Sequence, residues 1–231
     1  MSIFVPAMRV SILAAWLSLL CLHPVGAQNR LIYREQTGQQ TARVEVWEEK
    51  DTEGLLLRTV MSYGETYAIR NDFDMGTLSF TYGNTEQKTF YTAAREGNAI
   101  RLNGTLRGKP FSRLSRIDTR PLYESPERSL QGFAISGSSG TLDFWIVLPT
   151  EALIFQLVAK REGRELVEVD GEMVSAERVK VSLPGIASIV WSSLYWYRPT
   201  DGTFLRSEAV RGIGLIGTPK TVLELIQGVR L

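Results

Sequence analysis

Residues 191–198 read Trp191-Ser192-Ser193-Leu194-Tyr195-Trp196-Tyr197-Arg198, and Pro199-Thr200-Asp201-Gly202 follows directly. In an extended chain successive side chains alternate between faces, so Leu194 and Trp196 share one face while Trp191, Tyr195 and Tyr197 share the other. Both faces are apolar. That pattern fits a central strand covered on each side, or a strand with one face on the core and the other lining a groove for an apolar ligand. The Pro-then-Asp-Gly segment presets the dihedrals of a turn, and residues 203–208 resume the extended pattern. The stretch therefore reads as one arm of an antiparallel hairpin.

The same rhythm extends in both directions. Val179 and Val181 alternate with Arg178, Lys180 and Ser182, Leu78, Phe80 and Tyr82 alternate with Ser79 and Thr81, and Ala42, Val44 and Val46 alternate with Arg43, Glu45 and Trp47. Further strands are predicted over residues 55–63, 65–70, 88–94, 99–106, 130–136, 153–160, 164–169 and 221–226. Glu96-Gly97-Asn98, Glu162-Gly163-Arg164 and Asp170-Gly171-Glu172 are read as tight turns between them. Consecutive hairpins make a meander, and a long meander must curl to bury one face. The expected fold is all-β, a mainly antiparallel curved sheet or incomplete β-barrel with a small helical or loop cover. Leu142, Trp145 and Ile146, interrupted by Pro149, place that cover near residues 141–155. Residues 184–190 read as a turn of helix, and Ile186, Ile189 and Val190 fit strand almost as well. Residues 120–128, holding Pro121 and Pro126, and the turn Ser136-Gly137-Ser138-Ser139-Gly140 are the predicted mobile loops, and loop 120–140 is the only seam available to a two-part chain.

The N-terminus carries a different signal. Arg9 precedes an apolar run from Val10 to Leu22, then Pro24 and the small residues Gly26 and Ala27. These are the parts of a secretory signal peptide over residues 1–27, cleaved between Ala27 and Gln28, with translation starting at Met1 or Met8. The run falls short of the roughly 20 apolar residues that cross a bilayer. Residues 28–231 are then a single exported β-rich domain with no transmembrane segment, in the periplasm first and outside the cell as the alternative. Leu20 directly before Cys21 does not suit lipoprotein processing.

Composition excludes several chemistries. The only His is His23 and the only Cys is Cys21, both inside the segment to be removed. The exported chain has no imidazole or thiol for Ser-His-Asp or Cys-His catalysis, for Cys/His zinc sites or for disulfides. Neither a metal nor a cofactor is expected. With 26 basic and 25 acidic side chains the net charge is +1, which gives no net pull toward nucleic acid or anionic lipid. Paired carboxylates are the general acid/base chemistry left open, and glycosidases use such pairs. Of the visible pairs, Glu48 and Glu49 point to opposite faces of a strand, Asp72 and Asp74 organise a turn, and Glu165 and Glu168 decorate the solvent face of a hairpin. Asn71-Asp72-Phe73-Asp74 lacks the Gly and distal Glu of a calcium loop. Asn103-Gly104-Thr105 is a glycosylation acceptor only in a eukaryotic secretory pathway. Arg101, Arg107, Lys109, Arg113, Arg116 and Arg120 form a basic series, read as a solvated sheet edge or as a surface for anionic glycan or lipid headgroups.

The C-terminal third carries a resemblance. Glu168-Val169-Asp170-Gly171, residues 176–185, and Trp196-Tyr197 followed by Asp201-Gly202 and Phe204-Leu205-Arg206 are similar to uncharacterised bacterial exported proteins. Those look like relatives of the periplasmic lipoprotein-carrier fold, an incomplete β-barrel around a hydrophobic cavity. The resemblance covers roughly residues 150–226 and implies no catalytic set. Together with the aromatic strand it leads to a non-enzymatic envelope protein that binds an apolar, lipid-like molecule in the concave face. Trp191, Tyr195, Tyr197 and Trp145 are the expected ligand-binding residues. The alternatives are a structural envelope protein that binds a protein partner and a carboxylate-dependent glycan hydrolase.

Overall fold

The computed structural model describes residues 29–137, 140–210 and 220–230, so the signal segment and its cleavage site at Ala27 and Gln28 lie outside the described residues. Among the described residues fourteen strands form one antiparallel sheet. In chain order they are β1 (Asn29–Thr37), β2 (Gln40–Asp51), β3 (Gly54–Met61), β4 (Glu65–Asn71), β5 (Thr77–Asn84), β6 (Thr89–Arg95), β7 (Ala99–Leu106), β8 (Lys109–Arg116), β9 (Thr141–Leu148), β10 (Leu153–Val169), β11 (Glu172–Ser182), β12 (Ser192–Tyr197), β13 (Phe204–Val210) and β14 (Lys220–Arg230). Strands β1 to β8 and β9 to β14 each pair with their sequence neighbours, and β1 pairs with β14, which joins the two meanders. The ends of the order are β8 and β9, and they share no ladder. The sheet is an unclosed barrel whose seam is spanned by the segment that links its two edge strands.

That linking segment explains how the seam is managed. Ile117 donates its N–H to the Asn98 carbonyl at 2.9 Å, and Trp145 donates to Pro121 O while Tyr123 donates to Trp145 O, both at 2.8 Å. The chain then turns inward as α1 (Pro126–Ser129) and α2 (Gln131–Ile135). Leu122, Leu130 and Ala134 are fully buried, so this plug is held by apolar burial as well as by backbone bonds. Opposite, the β9–β10 turn is tied to the other edge. Tyr91 Oη donates to Pro149 O at 3.1 Å, Arg113 donates to Ala152 O at 2.9 Å, and Arg107 pairs with Glu151. Edge β8 thus uses part of the basic series to latch the seam, while Arg101 is taken by Glu96.

Several expectations change place. The cover is residues 126–135, not 141–155, which form the β9–β10 hairpin. Within 130–136, residues 131–135 form helix α2 rather than strand, following α1, which Pro126 opens where its missing N–H costs nothing; Leu130 and Ala134 are buried in the barrel. The segment around Pro121, expected to be flexible, is bonded and buried. Gly163, expected in a turn, is a bulge within the single long strand β10, with φ +102° and a register shift beside it. Past this bulge the β10–β11 hairpin curls over the outer face of the sheet. Val167, Val169 and Val174 pack there on Leu194, Trp196 and Leu205. Trp196 donates its indole N–H to Glu165 Oε1 at 2.8 Å, so Glu165 is not a solvent-face residue, whereas Glu168 is exposed. The strand 192–197 is covered on both faces.

Candidate functional site

Inside the barrel the apolar side chains form two clusters. One joins Tyr33, Phe144, Val179, Tyr197 and Phe204 to Leu130 and Ala134 of the plug. The other joins Leu57, Ile69, Tyr82 and Ile100 to Leu122 and Val147. Between them lies a cavity of about 250 Å³. Strand periodicity builds its wall: Leu31 and Tyr33 on β1, Val44, Val46 and Glu48 on β2, Leu57, Thr59 and Met61 on β3, Tyr67 and Ile69 on β4. Ile146, Val147 and Pro149, with Tyr195 and Leu223, complete the apolar lining. A second cavity of about 130 Å³ adjoins it along the end of β9, lined by Ile146 to Pro149, Phe155, Leu157, Leu183 and Trp191.

The polar groups enter chiefly from the plug. Glu124 is 8% exposed; its carboxylate accepts the Val147 N–H at 3.2 Å, and its own N–H goes to Thr77 Oγ1 at 3.0 Å. Burial pushes the Glu124 carboxyl well above the usual range, the Val147 bond opposes this, and the charge of Glu127 adds to it. Burial also raises Glu127, whose carboxylate accepts from Ser125 Oγ at 3.4 Å, with Glu35 pushing the same way. Arg128 Nε lies 3.1 Å from Glu48 Oε1 in ion-pair contact without hydrogen-bond alignment, and Arg128 also bonds Gln131. The phenol of Tyr33 is raised by burial and then by Glu48 and Glu127. The cavity is therefore apolar walls around a small polar island of two carboxyls whose pKa burial raises and one ion pair.

Glu124 gives a clear test of this electrostatics. A carboxyl raised in the folded state binds its proton more tightly there than when unfolded. Stability then falls as pH rises from about 4.5, the ordinary value, through the folded value. Glu124→Gln keeps an acceptor for Val147 and removes the charge. We expect equal stability below about pH 4 and a growing advantage for the variant at higher pH, about 2–4 °C in Tm per kcal/mol relieved. Thermal melts across pH check this; a difference independent of pH would contradict it.

Of the residues expected from sequence, Tyr195 lines the larger cavity and Trp191 the smaller. Tyr197 has no exposed surface and donates its hydroxyl to Pro126 O at 2.9 Å, which anchors the plug. Trp145 lines neither cavity; its indole N–H goes to Asp118 Oδ1 at 2.9 Å and holds the linking segment. Glu124, Glu127 and Arg128 were not expected. Their one signal was the company of Leu122, Tyr123 and Leu130, apolar residues too large for a solvent loop. Glu48 does point inward and away from Glu49, and Asp72 does organise a turn by accepting the Gly76 N–H at 2.7 Å. Among the described residues no cluster of three His, Cys, Asp or Glu is placed to hold a metal, and no helix is long and apolar enough to cross a membrane.

No protein-family model matches the chain, and no curated protein matches it. Solved structures do. The β-barrel-like protein of domain of unknown function DUF1849 from Brucella abortus superposes with a TM-score of 0.58 at 11% identity, over 88% of this chain and 98% of that one. The hypothetical lipoprotein YmcC from Escherichia coli matches at 0.40 and 13% identity, over 97% and 100% of the two chains. The LolA superfamily protein NE2245 from Nitrosomonas europaea matches at 0.25 and 9%, over 89% and 86%. The last two share too little geometry to carry an argument. The first shows a common fold: this chain has the β-barrel-like architecture of an uncharacterised domain, as the resemblance of its C-terminal third implied.

Proposed function

We propose that the protein is a non-enzymatic component of the cell envelope, exported to the periplasm, that takes the apolar part of a small amphipathic molecule into the cavity under the plug. The observation that carries this is the 250 Å³ space between two otherwise close-packed clusters. The space is partly open to solvent, and its mainly apolar walls favour an apolar occupant over water. An apolar cavity of about 150 Å³ already accepts a benzene ring, so this one takes a ring or the end of one acyl chain. Tyr195 and Trp191 would touch the ligand, while Tyr197 and Trp145 fix the elements that enclose it. A purely structural role with a protein partner calls for a filled interior, and the cavity argues against it.

The test is native mass spectrometry of the chain from Gln28 onward, purified without detergent. We expect a stoichiometric lipid-like adduct, or uptake of the neutral dye N-phenylnaphthylamine by the empty protein. An empty protein that takes up no apolar probe would overturn the reading. Glu124 favours a second reading: a buried carboxyl with a raised pKa is what a glycan hydrolase needs as its acid, with Glu48 as its partner. Release of reducing ends from envelope glycans, lost in Glu124→Gln, would establish it.

A further inference from the structure

The loop between β11 and β12 is the most apolar exposed part of the described chain. No charged residue stands between Lys180 and Arg198. Within this stretch Gly185–Ile189 forms a 3₁₀ turn, and Ile186 and Ile189 are 88% and 86% exposed, with Val190 at 63%. Three residues make one turn of such a helix, so Ile186 and Ile189 stand on the same side. Single exposed aliphatics are ordinary, but three together at the tip of one loop are not. Leu183 and Trp191, at the two feet of this loop, line the smaller cavity.

We propose that this loop is a membrane contact: Ile186, Ile189 and Val190 enter the headgroup–acyl boundary of a lipid bilayer, with Trp191 at interfacial depth. Three observations select a bilayer. The patch is too small for a protein partner, since three aliphatic side chains fall far short of the roughly 800 Å² per partner that a stable interface buries. The strands beneath it carry Lys160 and Lys180 as cross-strand neighbours, and among the described residues neither forms an ion pair. Of the acidic groups on adjoining strands, Glu208 is held by Arg206 and Lys220, which leaves Asp143 on β9 against two free lysines. At about 3.3 Å per residue, Lys180 lies roughly 10 Å below Leu183 at the foot of the loop, about one Debye length at 0.1 M salt. Apolar insertion backed by positive charge is the combination that holds peripheral proteins on anionic bilayers. Docking this way would set the lining of the smaller cavity at the level of the acyl chains.

The test uses the chain from Gln28 onward, which contains every described residue and no cysteine, so Ala187→Cys gives one site for an environment-sensitive fluorophore. Vesicles of equal parts phosphatidylcholine and phosphatidylglycerol should shift its emission to the blue and carry the protein upward in flotation. Pure phosphatidylcholine should do so less. Ile186→Ser with Ile189→Ser should lower partitioning more than about tenfold, and Lys160→Gln with Lys180→Gln should abolish the preference for the anionic vesicles. Both double variants change exposed or half-exposed side chains and should melt with the parent. Absence of a blue shift, or equal flotation of the isoleucine variant, would overturn the proposal. So would a label that responds only to vesicle-free envelope protein, which would assign the loop to a protein partner. Each readout is independent of what the cavity holds.

Discussion

Gly104→Ala should lower stability by roughly 3–5 kcal/mol and Tm by about 10 °C. Gly104 sits mid-strand on β7 with φ +152°, and a Cβ built there would stand 2.3 Å from Phe90 O and 2.6 Å from Tyr91 Cα. Both obstacles are backbone, so no side-chain rotation relieves them. Its cross-strand neighbours are Tyr91 on β6 and Phe111 on β8, and their rings meet edge-on at 5.6 Å beside the glycine. Tyr91 is also the residue whose hydroxyl ties the β9–β10 turn to this half of the barrel. The substitution therefore attacks the sheet's curvature and the seam latch together. Gly97→Ala is the control: its φ is +59° and nothing lies within 4 Å, so only the left-handed strain remains, about 1 kcal/mol. Thermal melts of the two variants side by side decide the matter. Equal, small losses would mean that β6 and β7 can move apart and that the close approach is not structural.

The strands were legible in sequence because period-2 alternation records a half-buried sheet directly. Val179 and Val181, or Phe80 and Tyr82, state which face is inward without reference to any other strand. The division of Trp191, Tyr195 and Tyr197 from Leu194 and Trp196 held for the same reason. The plug was not legible. Two helices of four and five residues are too short to show a 3.6-residue period, and Pro126 marks a break or a helix start equally well in isolation. What makes residues 117–135 ordered is burial of Leu122 and Leu130 against strands distant in sequence, a tertiary fact. β9 failed in the opposite sense. It is covered on both faces over Phe144 to Val147, so its alternation vanishes and the run imitates a helix or lid. The polar island was invisible because Glu124 and Glu127 gain their character from desolvation, and only the folded barrel with its seam covered desolvates them.

Filling the cavity separates a binding site from slack packing. Thr59 on β3 faces the space between the two apolar clusters, and Thr59→Trp would project an indole into it. If the cavity holds a ligand, uptake of N-phenylnaphthylamine should fall more than tenfold, since losing about 55 Å² of apolar contact suffices at roughly 25 cal/mol per Å². The empty protein should melt at the same temperature or higher, because the ring replaces void with contacts. The two readouts move in opposite directions, which no general loss of structure can imitate. Val46→Phe, from the neighbouring strand and smaller in added volume, guards against overpacking and should act the same way more weakly. Undiminished dye uptake in both variants would place the ligand elsewhere. The adjoining cavity against Trp191 and Leu183 would then be the next wall to fill, and it lies at the foot of the loop that reaches the membrane.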